Sequence, residues 1–276
     1  DAVDVMTIKT VNFTNVKKIK TNNKPARIWD ISNVDFSYSH TVSERHNPLI
    51  ESEEIKRTRG AVGYTFAPQP RVFEPFKNMI KTNSKWLALI KDLNFNYSPA
   101  LLSFKADVFR QFGAIRPRNV GGDDNYKIPE TYDKYFTFDR FYTMRWNLTR
   151  SITLDYNAVN NARIDEPFGR IDTKEKKDSV RENLFKGGRN THFHQDVSIS
   201  YNLPMQKIPF LDWTSVRASY LAKYDWIGAS LLAKGLGNTL LNGNTKNITA
   251  DFNFDQLYNK WNLLRSLNSS APPNRS

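Results

Sequence analysis

The sequence predicts an antiparallel all-β chain of about nine strands, and three observations carry that reading. Apolar and aromatic residues recur with period two. The connections between those stretches alternate short and long in the second half of the chain. Several stretches also reach the 9–11 residues, roughly, that a tilted strand needs to cross a bilayer.

A weaker strand over 5–13 opens the chain. Val34, Phe36 and Tyr38 then alternate with Asp35, Ser37 and Ser39, and Val62, Tyr64 and Phe66 with Gly63 and Thr65. Leu102, Phe104, Ala106 and Val108 are separated by Ser103, Lys105 and Asp107. The pattern returns in Phe136, Phe138, Tyr142, Met144 and Trp146, and in Ile152, Leu154, Tyr156 and Ala158. Val197 to Leu203, Val216 to Trp226 and Ile248 to Phe254 complete the series. Each strand thus has one apolar, aromatic side and one side of Ser, Thr, Asn, Asp, Lys and Arg.

The connections add direction. Leu148-Thr149-Arg150 reads as a tight turn and Pro204 to Leu211 as a short one, with long polar loops at 110–133, 160–191 and 227–245. A soluble sandwich has no need of that asymmetry, whereas an outer-membrane barrel has short inner turns and long outer loops. Carried backwards, the alternation makes 43–58 an outer loop and 14–27 an inner one. It also makes 67–100 an inner-side insertion, so Asn94-Phe95-Asn96-Tyr97 should not span. The fold class is therefore an antiparallel arc of a large transmembrane β-barrel, with short amphipathic helices on the inner side. Trp146, Trp213 and Trp226 fall at strand ends, as interfacial aromatics do. Ser37, Lys105, Asp139, Arg145, Asp155, Asp196, Arg217, Lys223 and Asp251 are the expected polar residues of a water-filled lumen. Arg140 is the discordant residue, sharing register with Phe138 and Tyr142: a local bulge is expected to turn it away, the alternatives being a place near the outer rim or a face that does not meet lipid.

Two segments change to helical spacing. Phe254, Leu257, Tyr258, Trp261 and Leu264 predict an amphipathic helix over 255–268. Phe73, Phe76, Ile80, Trp86, Leu87 and Ile90 suggest one or two short interfacial helices around Pro75. Both would close the lower rim or dock a peripheral partner.

Composition limits what else the chain does. Its 276 residues carry 40 Lys+Arg against 28 Asp+Glu, a formal charge of +12, so anionic partners come under consideration. The positive charges are scattered or lie in loops, as in Lys174-Glu175-Lys176-Lys177, and nucleic acid is not expected as a partner. No apolar run approaches the roughly 20 residues of a membrane-spanning helix. There is no Cys, which removes disulfides, thiolate metal sites and Cys nucleophiles. The chain opens at Asp1 without a leader and ends in a linker-like tail, 269–276, so 1–276 is expected to be a partial barrel segment of a larger chain.

No phosphate loop, dinucleotide fingerprint, nucleophile elbow or zinc helix motif is present. Gly121-Gly122-Asp123-Asp124 reads as a turn rather than a calcium loop. His192 and His194 share one side of a strand but lack a third ligand with convincing spacing. Asp165, Glu166 and Asp172 would suit glycoside cleavage only on a rigid scaffold. Asn147-Leu-Thr149 and Asn247-Ile-Thr249 match the glycosylation sequon, a pattern that arises readily by chance. No enzyme, cofactor or metal is therefore expected.

Several strings resemble a known family when taken in order. They include Asn12-Phe-Thr-Asn-Val-Lys17, Arg59-Gly-Ala-Val-Gly-Tyr64, Pro68-Gln-Pro70 and Glu74-Pro-Phe-Lys77. Leu89-Ile-Lys-Asp-Leu-Asn-Phe-Asn96, Asn161-Ala-Arg-Ile-Asp-Glu-Pro167 and Asp172-Thr-Lys-Glu-Lys-Lys-Asp178 follow. Lys207-Ile-Pro-Phe-Leu-Asp-Trp-Thr214 and Leu236-Gly-Asn-Thr239 complete the set. Together they resemble the SprA (Sov) family, giant outer-membrane translocons of type IX secretion and gliding motility. The resemblance implies one arc of a single-chain barrel of about 36 strands, the largest known. It further implies passage of folded cargo proteins from periplasm to cell surface, a lateral opening, and plug or cap subunits as partners alongside the lipid bilayer. The alternatives are a large barrel for nutrient uptake and a soluble, aromatic-rich β-sandwich that binds glycans.

Overall fold

In the computed structural model, residues 3–21, 25, 27–79, 87–121, 126–208, 210–261 and 265 are described. Nine strands form one antiparallel sheet: β1 (Val5–Lys17), β2 (Val34–His46), β3 (Ile50–Phe66), β6 (Leu101–Pro117), β7 (Thr131–Asn147), β8 (Ile152–Arg163), β9 (Arg189–Leu203), β10 (Thr214–Ile227) and β11 (Thr239–Phe252). Neighbours in the sheet are neighbours in the chain, apart from the insertion between β3 and β6. That insertion carries a separate two-residue ladder, β4 (Val72–Phe73) with β5 (Phe95–Asn96), and the short helix α1 (Ala88–Lys91). The sheet is open: β1 pairs with β2 alone and β11 with β10 alone among the described residues.

All nine expected strands are present, and most run further than their apolar alternation. The largest departure is at 43–58, which is not a loop. β2 and β3 pair from Val34↔Tyr64 to Arg45↔Glu53, and 47–49 makes a tight turn. The Asn47 side-chain oxygen accepts from the backbone N–H groups of Leu49 (2.9 Å) and Ile50 (2.7 Å), which closes that turn. Both sides of this stretch are polar, so it lacked the alternation that marks a half-buried strand; backbone pairing extends it regardless.

One end of the sheet carries the described residues of 18–33, 67–100, 148–151 and 204–213 and the helix α3 (Phe254–Tyr258). The other carries the described residues of 47–49, 118–130, 164–188 and 228–238. The connections group at the two ends as the alternation required, but the length asymmetry is not general, because 47–49 is short and 67–100 long. Phe95–Asn96 stays outside the main sheet and docks on its β7–β8 turn. There Trp146 Nε1 donates to the Asn96 carbonyl at 2.8 Å, and the Arg150 N–H to Asn94 Oδ1 at 2.8 Å. Of the predicted helix at 255–268, α3 and Trp261 are described; Leu264 and the tail 269–276 lie outside the described residues, as do Ile80, Trp86 and Gly122 to Asp124.

The loop 164–188 is more ordered than its charge suggested. It holds α2 (Lys174–Phe185), whose N-cap Thr173 accepts from the Lys176 N–H. The helix ends in Gly187 (φ 82°) and Gly188 (φ 71°), and the Gly188 N–H returns to the Asn183 carbonyl at 2.9 Å. Five buried hydrophobic residues gather near this loop: Phe112, Ala114, Phe136, Ala162 and Ile164.

Candidate functional site

Side chains alternate across a strand, so the register alone sorts the sheet into two faces. Ser37, Lys105, Asp139, Arg145, Asp155, Asp196, Arg217, Lys223 and Asp251 all fall on one face, which also carries His192, His194 and Asp225. This polar face is laced by cross-strand contacts. Arg59 forks onto Asp107 (2.6 and 2.9 Å), Arg145 meets Asp155 (2.6 Å), Asn161 donates to Asp139 (2.7 Å) and Arg217 to Asn202 (2.8 Å). Ser37 Oγ accepts from the Asn15 N–H at the β1 bulge, where Asn15 has φ 53°. Lys105 reaches Asp107 at 3.6 Å. Cation and anion thus alternate, leaving no broad patch of one sign. Phe109, Phe141, Val159 and Leu221 interrupt the polar face.

His194 lies between Asp225 (2.6 Å) and Asp196 (3.0 Å), and His192 also reaches Asp225 (3.2 Å). Among the described residues, no group of three or more His, Cys, Asp or Glu side chains could hold a metal ion. Asp165, Glu166 and Asp172 are each met by a separate cation: Arg189 (3.1 Å), Arg110 (2.5 Å) and Lys176 (3.0 Å).

The opposite face carries the aromatic and aliphatic residues, and its pattern was only half visible in the sequence. The cross-strand pair that closes the apolar belt at the insertion end is Phe66↔Leu102 between β3 and β6. It is Leu102↔Met144 at β6–β7, Trp146↔Leu154 at β7–β8, Ile152↔Tyr201 at β8–β9, Leu203↔Val216 at β9–β10 and Thr214↔Phe252 at β10–β11. From β7 onward the boundary moves two residues along each strand (Met144 to Trp146, Leu154 to Ile152, Tyr201 to Leu203, Val216 to Thr214). The belt therefore crosses the strands on a diagonal, as a level band does when strands tilt. No second layer covers it among the described residues: Phe36, Val62, Ile199, Tyr220 and Ile248 are exposed.

The belt ends abruptly on β3, β6 and β7. Lys56, Phe112 and Lys134 form one row across these strands, with Thr58 and Arg110 in the row beneath, next to Gly60 and Val108. Beyond lie Glu54 and Tyr132, and the loop 164–188 folds onto this charged part. Arg170 meets Glu130 through Nε (2.9 Å) and Glu54 through Nη1 (2.9 Å). Arg170 and a hydrogen bond from Tyr132 (2.9 Å) hold the Glu130 carboxyl down to about 2.

Arg140 is not turned away by a bulge. The register runs unbroken from Leu101↔Arg145 to Ile115↔Thr131 and from Thr137↔Arg163 to Asn147↔Thr153. Arg140 stays on the aromatic face, its guanidinium 5.0 Å from the Phe138 ring centre, and donates to Asn190 Oδ1 at 2.9 Å. It thereby reaches the foot of the 164–188 loop, which relieves its placement without a change of register. Phe141 is consequently a true resident of the polar face. Trp146 and Trp226 lie on the aromatic face near opposite ends. Trp213 precedes β10 and packs on Phe252 and Phe254 (5.7 and 5.8 Å).

No protein-family model matches the chain, and no curated protein matches it.

Proposed function

We propose that this chain is a wall segment of a large outer-membrane β-barrel that exports proteins, and that its aromatic face meets lipid. The observation that carries this reading is the diagonal, uncovered belt on a single-layer antiparallel sheet. A sandwich would need a second sheet on that belt, and burying it against lipid instead answers both its exposure and its tilt. The polar face then lines water, with mixed charge that gives folded cargo little to adhere to. The free edges of β1 and β11 would pair with further strands, since unpaired backbone is not tolerated in a bilayer. The resemblance to the SprA (Sov) family narrows the reading to type IX secretion and gliding motility, with secreted cargo and plug or cap subunits as partners. No catalytic residue, cofactor or nucleic acid enters this function.

Fractionation of native cells tests it. An antibody against 164–188 should detect a band far larger than 32.0 kDa in the detergent-resistant outer membrane, nicked when intact cells meet protease. A soluble band near that mass would return the glycan-binding reading to first place. A membrane band with ligand-dependent protection of the outer loops would favour nutrient uptake.

A further inference from the structure

A cleft opens on the aromatic face where the belt gives way to charge. It occupies about 330 Å³, at the small end of ligand clefts, and its walls include His40, Lys56, Thr58, Arg110 and Arg170. Two of its cations retain donors. Arg110 meets Glu166 through Nε, and its terminal nitrogens carry no hydrogen bond among the described residues. Lys56 has three donors and is paired with Glu54. The neighbouring carboxylates are already neutralised: Glu54 by Lys56 and Arg170, Glu166 by Arg110, and Asp172 by Lys176.

Below the cleft the belt has a notch. Gly60 is paired with Tyr38 on one side and Val108 on the other, and a Cβ built on it would meet nothing within 4 Å. The notch thus lies one row below the cationic cleft, on the same face of the sheet. A phosphate group suits the cleft, being an anion with several acceptor oxygens for Lys and Arg. An acyl chain suits the notch.

We infer that this place is a site for one anionic lipid of the outer leaflet, its phosphate held by Lys56 and Arg110 and one chain lying over Gly60. The inference rests on the reading that the aromatic face meets lipid. Its occupant is a phosphate-bearing lipid rather than free phosphate, because the cleft's Thr58↔Arg110 row and the notch's Gly60↔Val108 row stand next to each other on the aromatic face. Arg170 does not serve the headgroup; its guanidinium is used by Glu130 and Glu54, and it fixes the wall of the cleft.

The test uses the full-length protein purified in detergent and native mass spectrometry, titrated with dioleoyl phosphatidylglycerol, dioleoyl phosphatidylcholine or inorganic phosphate. Phosphatidylglycerol should bind at least about fivefold more tightly than phosphatidylcholine. Lys56→Gln with Arg110→Gln should abolish that preference. Gly60→Leu should weaken both lipids and leave the headgroup preference intact. Equal binding of both lipids to the unaltered protein would overturn the site. So would inorganic phosphate competing as well as phosphatidylglycerol, or the double variant retaining its preference. Heat-modifiable migration of each variant reports its folding, and Lys223→Gln, on the polar face, should leave the preference unchanged. A protein that does not fractionate with membrane fails the wider reading; one that does, yet shows no preference, fails this inference alone.

Discussion

Glu130 and Arg170 show what single residues do for the charged rim. The Glu130 side chain is 8% exposed and also meets Arg116 at 3.0 Å, so its ionised form is favoured strongly over the protonated one. Its carboxyl titrates at about 2 in the fold against an ordinary 4.5. A lowered carboxyl contributes stability that is fully present above the ordinary value and lost as pH falls through the folded one. The 164–188 loop should therefore stay immobile above about pH 4.5 and loosen toward pH 2. The chain has no Cys, so a spin label on Lys177→Cys reads this directly, and mobility unchanged across that window would contradict it. Val62 makes the complementary case at the middle of the belt. Val62→Arg should cost about 2–4 kcal/mol in urea titrations in vesicles, the expense of a midplane charge facing lipid. Ser103→Arg, on the polar face opposite Thr65, should stay within about 0.5 kcal/mol. Equal costs would mean that the two faces see the same solvent.

The elements differ in how plainly the sequence announces them. β6, β9 and β10 are legible because apolar and polar residues alternate along them, which is what a sheet with unlike faces demands. The 50–58 part of β3 is not, because Ser52, Glu54, Lys56 and Thr58 stand above the belt, where Glu54 meets Lys56 and Arg170 and Thr58 meets His40. α2 was hidden by its charge, Lys174-Glu175-Lys176-Lys177-Asp178. Its signals were the caps, Thr173 in front and Gly187-Gly188 behind, rather than any apolar stripe. Those caps are testable. A Cβ on Gly188 would come 2.7 Å from Ile164 Cδ1 and 2.9 Å from the Arg163 carbonyl oxygen, at a φ that favours glycine. Gly188→Ala should destabilise the loop by about 1 kcal/mol or more and speed tryptic cleavage at Lys177 and Arg181. Gly235→Ala, where a Cβ meets nothing within 4 Å, should leave that rate unchanged. The Arg140 register shows the limit of reading one strand alone. A charge in an apolar row suggested a bulge, and Asn190 at the start of β9, which receives it, was invisible from the strand.

Across the whole molecule, the faces were legible but the diagonal of the belt was not, because it exists only in the pairing between strands. Period two assigns each residue to a face; it does not say where one strand's belt stands against its neighbour's. The diagonal belt emerges once Trp146 is set against Leu154 and Leu203 against Val216. The candidate lumen residues could be chosen from alternation, since all nine share a face by register. The cleft and its notch could not, since they need β3, β6 and the 164–188 loop together. The most direct measurement uses single Cys substitutions from 101 to 110 in the otherwise Cys-free full-length protein in bilayers, each spin-labelled. Collision with oxygen, which concentrates in lipid, and with a water-soluble nickel chelate is then read at every position. Positions 102, 104, 106 and 108 should favour oxygen and 103, 105, 107 and 109 the chelate, reversing at 110 as the belt gives way to charge. Uniform exposure to the chelate, or protection of the even positions from both probes, would contradict a lipid-facing belt.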